Sequence, residues 1–223
     1  MFKKGLKMAS EAAELHKNVP PDWYFSSMKR NPFQRFWHER RFAEVARFIE
    51  PVIGGKILDI GSADGMFTKV ILDKSKAKEI IGIDVLTTSV AWSKKHWKKY
   101  KELKFRIGDA HKLDFEAQTF DAVFALEVME HVFKPQIVLA EIKRVLKKNG
   151  YVIILVPSDN FLFKIIWWFV TNFWWARIWQ DCHVQSFSAK KSLAKEMKRA
   201  GFKIEVDDKF LLGMLNLVKA RKA

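Results

Sequence analysis

Between residues 55 and 157, short β-branched runs alternate with amphipathic stretches, and this alternation limits the possible folds more than any other feature of the chain. The runs fall at 56–60, 80–83, 103–106, 122–126 and 151–156. Between them, the segments 66–74, 89–100 and 136–146 carry apolar residues at helical spacing. Strands that alternate with helices in this way predict βαβ units and a doubly wound α/β sheet. After Pro157 the pattern breaks. It returns with a helix over 189–200, stopped by Gly201, and two further strand candidates at 203–207 and 212–220.

A length of 223 residues, 49% of them hydrophobic, supports one sizeable domain with a real core and leaves little room for a second. Residues 1–54 read as a helical N-terminal cap, interrupted at Asn18-Val19-Pro20-Pro21 and Asn31-Pro32, with a helix running from Phe33 to Ile49. The main domain is expected over 55–223, with an insertion at about 158–182. The lone Cys182 rules out an intrachain disulfide framework and a zinc site built from several cysteines. That cysteine usage, and a start at Met1-Phe2-Lys3-Lys4 with no apolar h-region, point to a cytoplasmic protein. The formal net charge of +15 attracts nucleic acid, anionic lipid head groups or acidic small molecules about equally. Much of it lies in Lys94-Lys95-His96-Trp97-Lys98-Lys99-Tyr100-Lys101, whose plain reading is the solvated face of a helix.

The first strand ends in Asp59 and turns through Gly61-Ser62-Ala63-Asp64-Gly65 into a helix, the nucleotide-binding corner of a doubly wound sheet. Ala63 and Met66 stand where the dinucleotide fingerprint has its second and third glycines, so NAD and FAD are disfavoured. No Gly-Lys-Ser/Thr follows, which removes a phosphate-cradling P-loop. The remaining ligand class is a nucleoside without phosphates, and S-adenosylmethionine fits it. Asp84 ends the second strand, where a carboxylate can accept from both ribose hydroxyls, and Asp109 follows the third, where it can accept from an adenine amino group.

These segments, together with Phe120-Asp121-Ala122-Val123, Glu127-Val128-Met129-Glu130-His131-Val132 and Leu146-Lys147-Lys148-Asn149-Gly150-Tyr151, resemble the class I S-adenosylmethionine-dependent methyltransferases, and among them the UbiE-like (type 11) group. The resemblance covers about 55–157 and resumes over 183–206. Ser62-Ala63-Asp64 departs mildly from the family's usual small residues. The resemblance implies a Rossmann-like, mostly parallel seven-stranded sheet with an antiparallel last strand. It also implies that Gly61, Ala63 and Gly65 line the methionine moiety while Asp59 helps to hold its amino group. Asp84 would bind the ribose, Val85 would pack on adenine, Asp109 and Ala110 would read its edge, and the Leu126 carbonyl would meet the amino group. In related enzymes the segment before the first strand folds over the cofactor, which brings Tyr24, His38 or Arg41 toward its carboxylate.

Methyl transfer is an in-line displacement, so the protein must align nucleophile, methyl and sulfur and exclude water. A general base is needed only for a poorly ionised hydroxyl or an activated carbon. Glu127, His131 and His183 are the candidates for that role, with Glu130 beside them, and no metal site is expected. Residues 161–179 carry five of the nine tryptophans and read as a hairpin or broken helix, hinged near Thr171-Asn172, that lies over the site. An aromatic lid of this kind suits a hydrophobic small-molecule or lipid acceptor and an anionic membrane surface, making the enzyme peripheral to the membrane. Internal packing of the insertion, or its use as a homodimer interface, competes with that reading. An RNA methyltransferase is the alternative that net charge alone supports. A non-catalytic, cofactor-binding, membrane-associated protein on the same fold is another.

Overall fold

A computed structural model describes residues 13–158, 160–173 and 192–222. In chain order the elements are α1 (Trp23–Arg30), α2 (Pro32–Phe48), β1 (Lys56–Ile60), α3 (Met66–Ser75), β2 (Glu79–Asp84), α4 (Thr87–His96), β3 (Leu103–Ile107), β4 (Phe120–Leu126), α5 (Pro135–Val145), β5 (Leu146–Pro157), α6 (Phe161–Phe173), α7 (Leu193–Arg199), β6 (Phe202–Phe210) and β7 (Leu215–Lys222). They build one seven-stranded sheet in the order β3-β2-β1-β4-β5-β7-β6. The pairings among β1 to β5 are parallel, whereas β7 runs antiparallel to both of its neighbours.

Helices cover both faces of this sheet, which is why β1 and β4 read as nearly continuous apolar runs. Leu58, Ile60, Val123 and Ala125 point to one side, against Val138, Leu139 and Ile142 of α5 and Met197 of α7. Ile57, Ala122, Phe124 and Leu126 point to the other, against Phe42 and Val45 of α2, Phe67 and Ile71 of α3 and Val90 of α4. From β1 the chain winds outward through β2 and β3, then returns to place β4 on the opposite side of β1. The order reverses there, so a crevice opens beyond the carboxyl ends of β1 and β4.

The helical N-terminal segment sits over that crevice. Asn31 ends α1 and starts α2, its Oδ1 accepting from the amides of Phe33 (2.9 Å) and Gln34 (3.2 Å) while Pro32 takes the first helical position. Glu50, just beyond α2, is tied to β5 by the Tyr151 hydroxyl, which donates to the Glu50 carbonyl at 3.1 Å.

Several expectations shift, those below each for a local reason. The helix expected over 89–100 stops at His96, because Trp97 turns inward and donates through Nε1 to the Asp64 carbonyl at 2.7 Å. The helix expected over 136–146 ends at Val145, and Leu146 already pairs with Phe120 as the first residue of β5. The final strand starts at Leu215 and not at 212, since Leu211, Leu212 and Gly213 take left-handed φ values of 50°, 57° and 74° and form the turn from β6. The aromatic helix α6 passes through Thr171-Asn172 to Phe173 without a hinge, and the Asn172 side-chain amide donates back to the Trp168 carbonyl at 2.8 Å. The rest of the insertion lies outside the described residues.

Gly65 shows how closely the first loop is packed. Its φ is 78°, and a Cβ added there would stand 2.6 Å from Trp97 Nε1 and 2.8 Å from Phe105 Cζ. Gly65→Ala is therefore expected to cost ~2–3 kcal/mol through backbone strain and overpacking, read as a lower urea midpoint at unchanged m-value.

Candidate functional site

The loop after β1 is held by bonds that cross the crevice. The amides of Gly61 and Ser62 both donate to the Ile83 carbonyl, at 2.8 and 2.9 Å. Ala63 adopts a left-handed φ of 44° and donates its amide to Asp84 Oδ2 at 2.9 Å. The other Asp84 oxygen accepts from Leu86 N at 2.9 Å, so the carboxylate is clamped from both sides at the end of β2. Burial raises its pKa, and the hydrogen bonds from Leu86 and Ala63 oppose that rise. Behind the loop, the Ser93 hydroxyl donates to the Ala63 carbonyl at 2.8 Å.

Asp59 points away from the cavity into the helical layer, where it accepts from the Thr68 hydroxyl of α3 at 2.6 Å. Burial lifts its pKa to about 7, Thr68 opposing and the Asp84 charge reinforcing the rise. Asp64, a mild departure in the sequence motif, turns out to fasten the cap: its Oδ2 accepts from Phe25 N of α1 at 2.8 Å and its Oδ1 from Met66 N at 3.2 Å. Burial raises it to about 6 in spite of those bonds. Phe25 in turn packs against Trp92 and His96 of α4.

On the opposite wall, Glu127 follows β4 with a left-handed φ of 58°, and its amide donates to the Leu155 carbonyl at 2.8 Å. Its Oε2 pairs with Arg41 Nη1 of α2 at 2.9 Å. Burial raises the Glu127 pKa and the guanidinium partly offsets this. Arg41 is itself only 4% exposed, and its Nε and Nη2 have no hydrogen-bond partner among the described residues. Tyr24 lies below this guanidinium, 5.5 Å from ring centroid to Cζ, and burial pushes its phenol above the ordinary range. His38 is held well below the usual imidazole range by burial and by the Arg41 charge, which keeps it neutral.

These groups surround a cavity of about 480 Å³. Of the residues expected from the sequence, Gly61, Ala63, Asp84, Val85, Asp109, Ala110, Glu127 and His131 line it together. Asp59, Gly65 and Leu126, expected beside the cofactor, are not among its lining, Asp59 because its carboxyl turns to Thr68. His183 lies outside the described residues. Glu130 and His131 come in a tight turn, His131 N donating to the Val128 carbonyl at 2.9 Å, and both face the cavity without a helical turn. Sequence reasoning passed over His16, whose ring meets that of His131 edge-on at 4.7 Å, and His111, which bonds to Asp109. His16 carries no motif signal because only the fold brings it to His131, whereas His111 stands two residues from its partner Asp109 and was open to a local reading. Among the described residues no group of three or more His, Cys, Asp or Glu side chains is placed to hold a metal ion.

A doubly wound sheet ending in the antiparallel β7–β6 pair, a glycine turn after β1 and acids ending β2 and following β3 together make the nucleoside-binding crevice of this topology. Residues 58–154 match the family model described as "Methyltransferase domain". It is 31% identical over 153 residues to the sterol 24-C-methyltransferase of Saccharomyces cerevisiae, covering 63% of this chain and 40% of that protein. It is 30% identical over 119 residues to the demethylmenaquinone methyltransferase of Thermotoga maritima, covering 53% and 49%. The matched region thus spans less than half the length of these curated relatives. Among solved structures, a geranyl diphosphate methyltransferase in complex with GPP and sinefungin superposes with a TM-score of 0.67 at 13% identity, over 83% of this chain and 77% of that one. At that identity the likeness is one of fold.

The raised carboxyl of Asp59 has a measurable consequence. A group whose folded pKa exceeds its unfolded value contributes stability that is present below the unfolded pKa and lost as pH rises through the folded one, here between about 4 and about 7. Asp59→Asn, which still accepts from Thr68, is expected to gain stability over the native protein as pH rises, by roughly 2 kcal/mol between about pH 5 and pH 7. Thermal melts of the two unliganded proteins across that range check the sign.

Proposed function

We propose that the protein is an S-adenosylmethionine-dependent methyltransferase that transfers its methyl group to a hydrophobic, lipid-like acceptor. One observation carries the reading: a single cavity runs from the acid-flanked nucleoside floor at Asp84 and Asp109 to a mouth of aromatic and aliphatic side chains, including Phe33, Phe36, Trp37, Phe163 and Leu212. The residues present fit the cofactor. Asp84, Asp109 and Glu127 are acids of the cavity wall set against the guanidinium of Arg41, an arrangement that suits a ligand carrying a sulfonium and an ammonium. The unpartnered Arg41 nitrogens suit its carboxylate.

When bound, the cofactor supplies a methyl group already activated by its sulfonium. The chain's own work is to align and to exclude water. Asp84 would hold ribose hydroxyls, Asp109 and Ala110 would read the adenine edge, Val85 would pack beside it, and Gly61 and Ala63 would let the backbone approach the methionine tail. Arg41 would hold the tail carboxylate, and Glu127 would stand near the ammonium. His131, with His16 against it, stands on the acceptor side, where an imidazole can take a proton from a hydroxyl acceptor. Sterol and quinone precursors are the acceptors named for the curated relatives, and such apolar molecules match the cavity mouth.

The mouth opens through an apolar rim. Phe33 and Phe36 of α2 and Leu212 of the β6–β7 turn line it and are each more than half exposed, and α6 separately exposes Phe161, Trp168 and Phe169. No helix among the described residues is long and apolar enough to cross a membrane. An exposed aromatic rim on a chain of net charge +15 suits docking onto an anionic bilayer, from which an apolar acceptor enters sideways.

Two measurements test this reading. Calorimetry is expected to show S-adenosylmethionine binding to the native protein and a loss of ~100-fold or more in Asp84→Ala, and failure of both proteins to bind refutes the cofactor site. Flotation is expected to carry the protein up with vesicles containing phosphatidylglycerol and not with neutral vesicles. The double variant Phe33→Ser, Phe36→Ser is expected to stay behind several-fold more often, and equal flotation of both proteins refutes the membrane-facing rim.

A further inference from the structure

Asp109 is not an isolated acid. It lies in the turn after β3, where Lys112 N donates to its carbonyl at 3.1 Å. Its side-chain Oδ1 accepts two bonds from one neighbour, His111: the backbone amide at 2.9 Å and ring Nδ1 at 2.8 Å. The His111 side chain is 3% exposed, so this contact is made away from solvent. On the far side of the ring, Nε2 accepts from Lys134 N at 3.3 Å, at the residue that leads into α5. An Nε2 that accepts an amide proton carries none of its own, so the ring proton sits on Nδ1, directed at Asp109. With Oδ1 doubly occupied, Oδ2 is the oxygen of Asp109 that has no hydrogen-bond partner among the described residues, and Asp109 lines the cavity.

From this chain of bonds we infer that His111 is a positioning residue: it fixes the Asp109 carboxyl in the rotamer that selects a 6-amino purine, and joins that recognition to the loop carrying Glu130 and His131. A free aspartate rotates about χ1 and χ2, and it presents an acceptor to the cavity only part of the time. Two donors on Oδ1 remove that freedom and aim Oδ2 at the cavity as an acceptor, which takes a bond from an exocyclic amine but finds no proton on the carbonyl of a 6-oxo purine. The second bond of the ring reaches Lys134, which closes the loop that begins at Glu127. The adenine acid and the acceptor-side residues are therefore two ends of one hydrogen-bonded unit. Of the ring's two bonds, the one to Asp109 is the shorter and charge-assisted, so the larger consequence of losing His111 falls on purine selection.

This inference rests on the reading of Asp109 as the adenine-recognising acid, and the experiment separates the two. S-adenosylhomocysteine and its 6-oxo counterpart S-inosylhomocysteine are titrated calorimetrically into the native protein and into His111→Phe, His111→Asn and Asp109→Asn, each first checked by thermal melting. His111→Phe keeps a ring in the buried space but has no donor, and His111→Asn returns a donor at the δ position. The native protein is expected to prefer the 6-amino ligand by ~100-fold. His111→Phe is expected to lose ~10–30-fold in affinity for the 6-amino ligand alone, which collapses the preference, and His111→Asn to regain most of it. If His111→Phe does not fold, His111→Ala carries the same expectation. Native preference in the donor-free variant, or equal weakening of both ligands, overturns the inference and leaves Asp109 in its role. Native affinity and preference in Asp109→Asn overturn the adenine reading itself, and this inference with it.

Discussion

The bond from Ala63 N to Asp84 Oδ2 is the contact on which the site depends. It joins the loop leaving β1 to the end of β2, and it exists only because Ala63 accepts a left-handed backbone that a larger or branched residue would resist. Once made, it turns the loop so that Gly61 and Ser62 can both donate to Ile83, and it fixes one oxygen of a buried carboxylate. The desolvation of that carboxylate is costly, and the two backbone amides offset only part of it. The empty-handed lone pairs that remain are what a ribose would satisfy. Strain in the loop and desolvation at Asp84 are thus two aspects of one arrangement, held in place by the packed sheet around it.

The cap depends on the same loop. Asp64 bonds backward to Phe25 of α1 and forward to Met66 of α3, so the residue that distinguishes this loop from a glycine-richer one is also the residue that attaches the roof. Arg41 makes the second attachment, through Glu127 on the far wall. Both attachments use carboxylates whose pKa values burial has raised, which means that each is electrostatically under-compensated without a ligand. A cationic ligand between them would lower both costs, and by the same linkage would tighten the cap over itself.

Most of the fold was legible in the sequence, because strands buried on both faces of a parallel sheet must be continuous apolar runs and the helices between them must be amphipathic. Where boundaries moved, a side chain had taken a tertiary partner that no local pattern records: Trp97 left its helix for the Asp64 carbonyl, and Leu146 left α5 for Phe120. That Asp84 and Asp109 meet on one cavity wall was legible for a similar reason. Both sit at strand ends, and strand ends can be counted. The histidine wall was not. His16 and His131 are more than a hundred residues apart, and nothing in the sequence says that their rings meet. Asp64 looked like tolerated variation because its partner is an amide thirty-nine residues upstream.

Charge is distributed in opposite senses inside and outside this protein, and the two senses imply different partners. The cavity wall carries Asp84, Asp109 and Glu127 around the Arg41 guanidinium, a field that favours a cation and resists a phosphate. The surface carries the compensating excess, with Lys94, Lys95, Lys98 and Lys99 exposed along and beyond the end of α4. A polyanion attracted by that surface would find no complementary field in the cavity, so net charge alone does not make a nucleic acid the acceptor. An anionic bilayer, the partner proposed above, would be free of this conflict. It would be held at the outside by charge while its apolar interior presents a neutral acceptor to the aromatic mouth, so that only an uncharged group would need to pass the acids within.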